Sequence, residues 1–371
     1  MGLQWDKLCE VTTDGAPAMA GAHKGMASMV CAKVKETEGE AVKRLHCIVH
    51  QEALCAKTVN LGDVMNTVVK TVNIIRARGL YHREFQAFLS DVDAEYGDLL
   101  YYLDVRWLSR GAMLKRFYSL RSEIDQFLKD KDRPLHELSD PLWLADLAFL
   151  VDLTDHLTTL NKSLEGKDQL VPQLYEHMEA FCVKLNLFKT QLRNFNVVHF
   201  PTLSEIRTAY PQAKFSAKKG KYVSVIAYLE TEFRQRFQDF SVIDKEIKLN
   251  ATPFLVDAKE VEKNLQLELI EIECDDVLKN QHQQLSLPEF YRSLEKEKFP
   301  MMRRHAKIMI SLFGSTYICE QTFSLLTLNK SRMRTKMTDS HLHDVLRIAT
   351  TKFTADLPAI LRSQEQHHCS H

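Results

Sequence analysis

From Pro134 to about Phe299 the chain carries one helical apolar stripe after another and, apart from a short candidate at Phe254 to Val256, no convincing strand. Leu147, Leu150, Val151, Leu157 and Leu160 make one stripe, and Val171, Leu174, Met178, Phe181, Leu185 and Leu192 make another. Apolar residues at this spacing put one side of a helix into a core, so both stripes read as packing surfaces and not as a cofactor box. An acidic helix from Glu260 to Asp276, with Leu265, Leu269, Ile272 and Val277 turned inward, continues the series. Only 12 glycines and 10 prolines interrupt 371 residues, which also favours helix. The fold class expected is mostly α with a small α/β part.

The α/β part lies upstream. Val11, Thr12 and Thr13 are β-branched and Gly15 with Pro17 marks a turn, so Asp14 falls at a strand end, where it either binds a metal or caps the next helix. A lysine-rich helix carrying Met26, Met29, Val30, Ala32 and Val34 ends near Thr37, and a second strand is expected at Leu45 to Val49. It contains Cys47-Ile48-Val49-His50. A single Cys-x-x-His is too few ligands for a structural zinc, so a buried Cys and a hydrogen-bonded His at a strand-to-helix junction is the simpler reading. Val64, Val68, Val72, Ile75 and Phe85 predict one long or two short helices between Leu61 and Phe88. The apolar run Leu99 to Leu103 predicts a third strand, after which Ser109 caps a helix with Met113, Leu114, Phe117, Leu120, Ile124 and Phe127 on its core side.

Lysine plus arginine equals aspartate plus glutamate at 49 each, so net charge gives no argument for nucleic acid, membrane or acidic substrates. Two local concentrations remain. Lys214, Lys218, Lys219 and Lys221 surround Gly220 in what reads as an exposed loop, able to touch phosphate or merely solvated. Between Met301 and Thr338 seven basic residues, Arg303, Arg304, Lys307, Lys330, Arg332, Arg334 and Lys336, face a single acid, Glu320, which is either an ion-pair partner or a metal-binding carboxylate. No window is apolar enough to span a membrane. The eight cysteines are scattered without a Cys-x-x-Cys pair, as expected of reduced thiols, and residues 362–371 read as a frayed, disordered tail.

Taken in order, Thr13-Asp14-Gly15-Ala16-Pro17-Ala18-Met19, Cys47-Ile48-Val49-His50, Arg106-Trp107-Leu108-Ser109 and Cys319-Glu320-Gln321-Thr322-Phe323-Ser324 resemble the signposts of the hAT-superfamily transposases. The chain looks most like the domesticated copies found with general transcription factor II-I repeat domains or in transposon-derived zinc-finger BED proteins. The resemblance implies a ribonuclease H-like domain, partial over residues 1–130, interrupted by an all-helical insertion over 131–298 and completed by a C-terminal dimerisation region over 299–361. It further implies that Asp14 and Glu320 descend from two of three metal-binding acids. Cys47 and His50 match a pair associated with that site, and Trp107, beside Arg106, matches a tryptophan implicated in DNA hairpin handling.

In-line cleavage of a phosphodiester needs divalent metals held by converging carboxylates. In the family the third acid stands on a strand well before the position of Asp14, whereas this sequence starts about thirteen residues before it. A catalytically incomplete protein is therefore expected: not an enzyme, with no cofactor. Mg2+ or Mn2+ would serve only as part of an active longer product that supplies the missing acid, which is the alternative reading. The partners expected are a second copy through the C-terminal region and DNA of low specificity, contacted by Lys218, Lys219, Lys330, Arg332 and Arg334, with no membrane. The resemblance places such a protein in the nucleus, with the cytoplasm as the alternative.

Overall fold

Twelve consecutive residues, Trp143 to Thr154, are all buried, and the helix that contains them is the axis of the fold. The computed structural model describes residues 4–39, 41–59, 61–101, 107–166, 169–330 and 336–351, together with 356, 358, 359 and 362. It divides into a first unit, Met1–Thr316, and a second, Tyr317–His371.

The first unit opens with β1 (Glu10–Thr13), α1 (Pro17–Ala20), α2 (Met26–Glu36) and β2 (Lys43–His46). The strands pair in parallel, Glu10 with Lys43 through Thr13 with His46, in a two-stranded sheet. Parallel strands require a crossover, which α1 and α2 supply. Helices α3 (Ile48–Lys57), α4 (Gly62–Arg76), α5 (Gly79–Asp91), α6 (Trp107–Ser119) and α7 (Arg121–Asp130) follow. Then comes the axial helix α8 (Pro141–Leu164), started by Pro141 and by Asp140, whose carboxylate accepts from the amide of Leu142 at 2.9 Å. A helix apolar on every side must be surrounded. Accordingly α3, α4, α6, α9 (Val171–Arg193) and α10 (Pro201–Ala209) all pack on α8, and α11 (Lys219–Arg236) and α12 (Gln238–Ala251) pack on α9.

A smaller second core, built on Leu265, Leu269, Phe290, Tyr291 and Met302, joins α13 (Lys263–Glu273), α14 (Asp276–Gln284), α15 (Leu287–Ser293) and α16 (Pro300–Ser311). The second unit contains α17 (Tyr317–Asn329) and α18 (Asp339–Thr350), which pack on each other. Among the described residues, no helix is long and apolar enough to cross a membrane.

Both apolar stripes expected of the helical stretch are buried, as is the stripe from Met113 to Phe127, although Leu120 divides the latter between α6 and α7. The expected strands fare less well. β1 ends one residue before Asp14, as read, but the second strand lies at Lys43–His46, because the apolar run Cys47 to Val49 is the buried start of α3. A short apolar run does not distinguish a buried strand from a buried helix end. Leu99 to Tyr101 is not a strand: the Leu99 carbonyl accepts from the guanidinium of Arg76, which also lies 3.9 Å over the Tyr101 ring, so a side chain occupies what a ladder would use. Residues 102–106, Arg106 included, lie outside the described residues.

Phe254 to Val256 is not a strand either, since Pro253 opens a 3-10 turn, Pro253–Leu255. Ser109 is not a cap; its helix starts two residues earlier, at Trp107. Val277 is 64% exposed, not packed inward, because the acidic stretch breaks at Cys274 and Asp275 caps a new helix on a different face.

Candidate functional site

The strings that carry the resemblance converge, in part, at the C-terminal ends of β1 and β2. Thr13 is the last residue of β1, and its carbonyl accepts from the amide of Cys47 at 2.8 Å. Asp14 follows, exposed, with Oδ1 accepting from the amide of Ala16 at 3.0 Å. This turn immediately precedes α1 and is the local, cap-like use of an aspartate. His46, the last residue of β2, places Nε2 2.9 Å from the Asp14 carbonyl. Gly15, at φ +78°, lets the chain turn over that imidazole: a Cβ there would lie 2.3 Å from His46 Cε1. The ring of His50 stacks on His46 with centroids 5.6 Å apart.

Cys47 is fully buried, and its Sγ accepts from the amide of Thr316 at 3.2 Å. That contact belongs to a strap. Phe313 to Thr316 returns to the start of the chain, where Phe313 N donates to Glu10 Oε2 at 2.6 Å and its carbonyl accepts from the Thr12 hydroxyl. The Gly314 carbonyl accepts from Ile48 N at 2.9 Å. Gly314 is confined: a Cβ would lie 2.6 Å from Leu174 Cδ1. The side chains of Glu10 and Thr12 thus meet chain from about 300 residues downstream. Burial pushes the Glu10 carboxyl up to about 7, against the opposing pull of Thr12, the Phe313 amide and Lys43.

These groups are largely spent on one another. Asp14 serves its own turn, His46 the Asp14 carbonyl and Cys47 the strap, and among the described residues no group of three or more His, Cys, Asp or Glu side chains is placed to hold a metal ion. The described residues around Asp14 therefore do not fit the metal that the resemblance implies. Glu320 is exposed in the first turn of α17, in the second unit. Trp107 begins α6.

The DNA candidates divide. Lys218 lies 2.9 Å and Lys221 2.8 Å from Oδ2 of the buried Asp146, so both tie the start of α11 to the axial helix. Lys219 is exposed, and Lys330 lies 3.5 Å from Asp339. Arg332 and Arg334 lie outside the described residues.

Sequence reasoning missed the buried acids. Besides Asp146, Glu52 is fully buried on α3, with Oε2 accepting from Asn161 Nδ2 at 2.9 Å. Asp152 accepts from the amides of Thr202 and Leu203 at 3.1 and 2.9 Å and so caps α10 from across the core; burial raises it to about 6 despite these bonds. Acids at Asp146 and Asp152 inside an otherwise apolar helix were the available signal.

Comparison with known proteins follows these boundaries only in part. Residues 46–193, from His46 through α9, match a family model described as the FAM200/GTF2IRD2 helical domain. Over 349 residues the chain is 40% identical to general transcription factor II-I repeat domain-containing protein 2 of Bos taurus, covering 94% of this chain and 36% of that protein. Over 329 residues it is 39% identical to the protein of the same name from Mus musculus, covering 88% and 34%. The chain thus spans about a third of the length of the curated relatives it matches. No solved structure matches.

Proposed function

We propose, from the match of residues 46–193 to the FAM200/GTF2IRD2 helical-domain model and from the likeness of most of the chain to part of general transcription factor II-I repeat domain-containing protein 2, that the chain is a domesticated, transposon-derived protein that performs no catalysis and acts in the nucleus as a homodimer, with DNA contact of low specificity. The relatives' name, a transcription-factor repeat protein, supports the nuclear and non-enzymatic parts. The parallel pair β1 and β2, with an acid just past the end of β1, supports descent from a ribonuclease H-like domain of the hAT type. The DNA contact rests on exposed lysines such as Lys219, whose attraction to phosphate is independent of sequence.

The observation that carries the dimer is the composition of α17 and α18. Neither helix contains a buried residue, yet Ile318, Phe323 and Leu328 are 50%, 65% and 75% exposed, and Ile348 on α18 is 74% exposed. Ile318, Phe323, Leu325, Leu326 and Leu328 spread over more than half of the circumference of α17, and an apolar arc that wide needs cover on more than one side. One neighbouring helix does not give that cover, and homodimer interfaces are the most apolar class of protein surface.

Multi-angle light scattering of the full chain is expected to give twice the chain mass, and the double substitution Phe323→Asp and Leu328→Asp to give the single mass with unchanged helicity. A monomeric parent at micromolar concentration would sink the dimer. Supercoiled plasmid incubated with the chain in Mg2+ or Mn2+ is expected to remain intact. Cleavage that disappears in Asp14→Ala and Glu320→Ala would show instead that the acids still work.

A further inference from the structure

A cavity of about 330 Å³ opens between α15 and α16, lined by Pro288, Tyr291 and Arg292 on one helix and by Arg303, Ala306, Lys307, Ile310 and Ser311 on the other. The spacing explains it. Positions 288, 291 and 292 form one face of α15, and 303, 306, 307 and 310 one face of α16. Three cations therefore line one small concavity, and no carboxylate lines it.

The charges are consumed internally only in part. Arg303 donates Nη1 to the carbonyls of Tyr291, Arg292 and Leu294 at the end of α15; carbonyls bear partial charge, so the guanidinium keeps most of its own. Glu289, three residues before Arg292, accepts from the Ser286 hydroxyl at 2.6 Å and the Ser286 amide at 3.1 Å, and these bonds act ahead of Arg292 in holding its carboxyl below the usual range. Lys307 is exposed and has no ion-pair partner among the described residues. Arg303 and Lys307 stand four residues apart on one helix, an arrangement that is locally repulsive. A cluster of this kind weakens the fold in isolation and is relieved by a bound anion.

We propose that this cavity is a docking site for an acidic peptide segment of a partner protein, with one apolar side chain seated on Pro288, Tyr291, Ala306 and Ile310 and flanking carboxylates paired with Arg292, Arg303 and Lys307. Charge complementarity selects an acidic occupant, and the apolar floor selects a peptide: a phosphodiester backbone has no apolar group to place there. The site lies on different helices from the proposed dimer surface and does not depend on it.

The test is fluorescence anisotropy of the full chain with a short labelled peptide in which glutamates flank a single leucine, at low salt. Binding is expected, and replacing the leucine by serine, or the glutamates by glutamine, is expected to weaken it about tenfold or more. Lys307→Glu and Arg292→Glu are expected to weaken it to the same extent. Arg303 is left intact because it caps α15. Lys307→Glu should not lower the melting temperature, since it relieves the repulsion with Arg303; a merely structural lysine would lower it. Equal peptide affinity in parent and charge-reversed chains overturns the proposal. Absence of peptide binding overturns it too, including the case in which random duplex DNA binds the parent and loses affinity in these variants, which would make the cavity a phosphodiester contact.

Discussion

Replacing Phe149 by alanine is expected to lower the unfolding free energy of the first unit by about 3–5 kcal/mol, the usual range for emptying a phenylalanine site in a core that cannot collapse. Phe149 is fully buried at the middle of α8. Its ring stacks on Tyr222 from α11 with centroids 4.2 Å apart and an interplanar angle of 11°, and on Phe200 at 5.3 Å. The aromatic column therefore joins the axial helix to the segment leading into α10 and to α11. Neighbouring rings do not move in to fill the gap, because Phe200 is itself fixed by Phe188, 5.4 Å away. Domain stabilities are typically about 5–15 kcal/mol, so the variant should still fold at low temperature but melt roughly 10 °C or more below the parent. Urea titration followed by circular dichroism measures the loss. A cost under about 1 kcal/mol would mean that the column is not where this unit is held together.

The second large effect is one of pH. Burial on α3 pushes the Glu52 carboxyl up to about 7; the hydrogen bond from Asn161 opposes the rise and Glu165 adds to it. In the unfolded chain the group titrates near 4.3. Between these values the folded protein holds a proton that the unfolded chain has lost, so stability falls as pH rises through that window and levels off above it. A raise of this size corresponds to on the order of 3 kcal/mol for the single group. Glu10 and Asp152, also raised, push in the same direction.

Glu52→Gln isolates the effect. Glutamine keeps an acceptor for Asn161 Nδ2 and brings a donor for Asn161 Oδ1, which has no hydrogen-bond partner among the described residues. The variant is expected to match the parent near pH 5 and to exceed it by on the order of 2–3 kcal/mol at pH 8. Urea midpoints at the two pH values decide it: a variant no more stable than the parent at pH 8 would mean that Glu52 is ionised and solvated in the fold.

Where a side chain answers only to its own helix, the sequence was readable. Val171 to Leu192 and Leu147 to Leu160 are buried because a 3.6-residue period leaves one face no other choice. Strands were less readable, since the small sheet depends on partners far away in sequence: β2 pairs with β1 across about thirty residues, and Leu99 is diverted by Arg76. The polar interior was the least legible. Lys218 sits in a basic cluster that looks solvated until the fold brings Asp146 to it from 72 residues upstream, and Asp152 meets the start of α10 only across the core. At the candidate site Asp14 was correctly placed at a strand end. The neighbour that shapes it, His46, gave no signal beyond adjoining Cys47.

The strap has a consequence for how the molecule is made. A ribosome adds about 5–20 residues per second, so on the order of 15–60 s separate the emergence of Thr12 from that of Phe313, its hydrogen-bond partner. For that interval the nascent β1 has β2 beside it, while Glu10 and Thr12 still await the chain that will engage their side chains. The helices that build the core between them all precede the closing segment in the chain. The side chains of β1 are therefore engaged by the strap only after every helix from α3 to α16 has been translated.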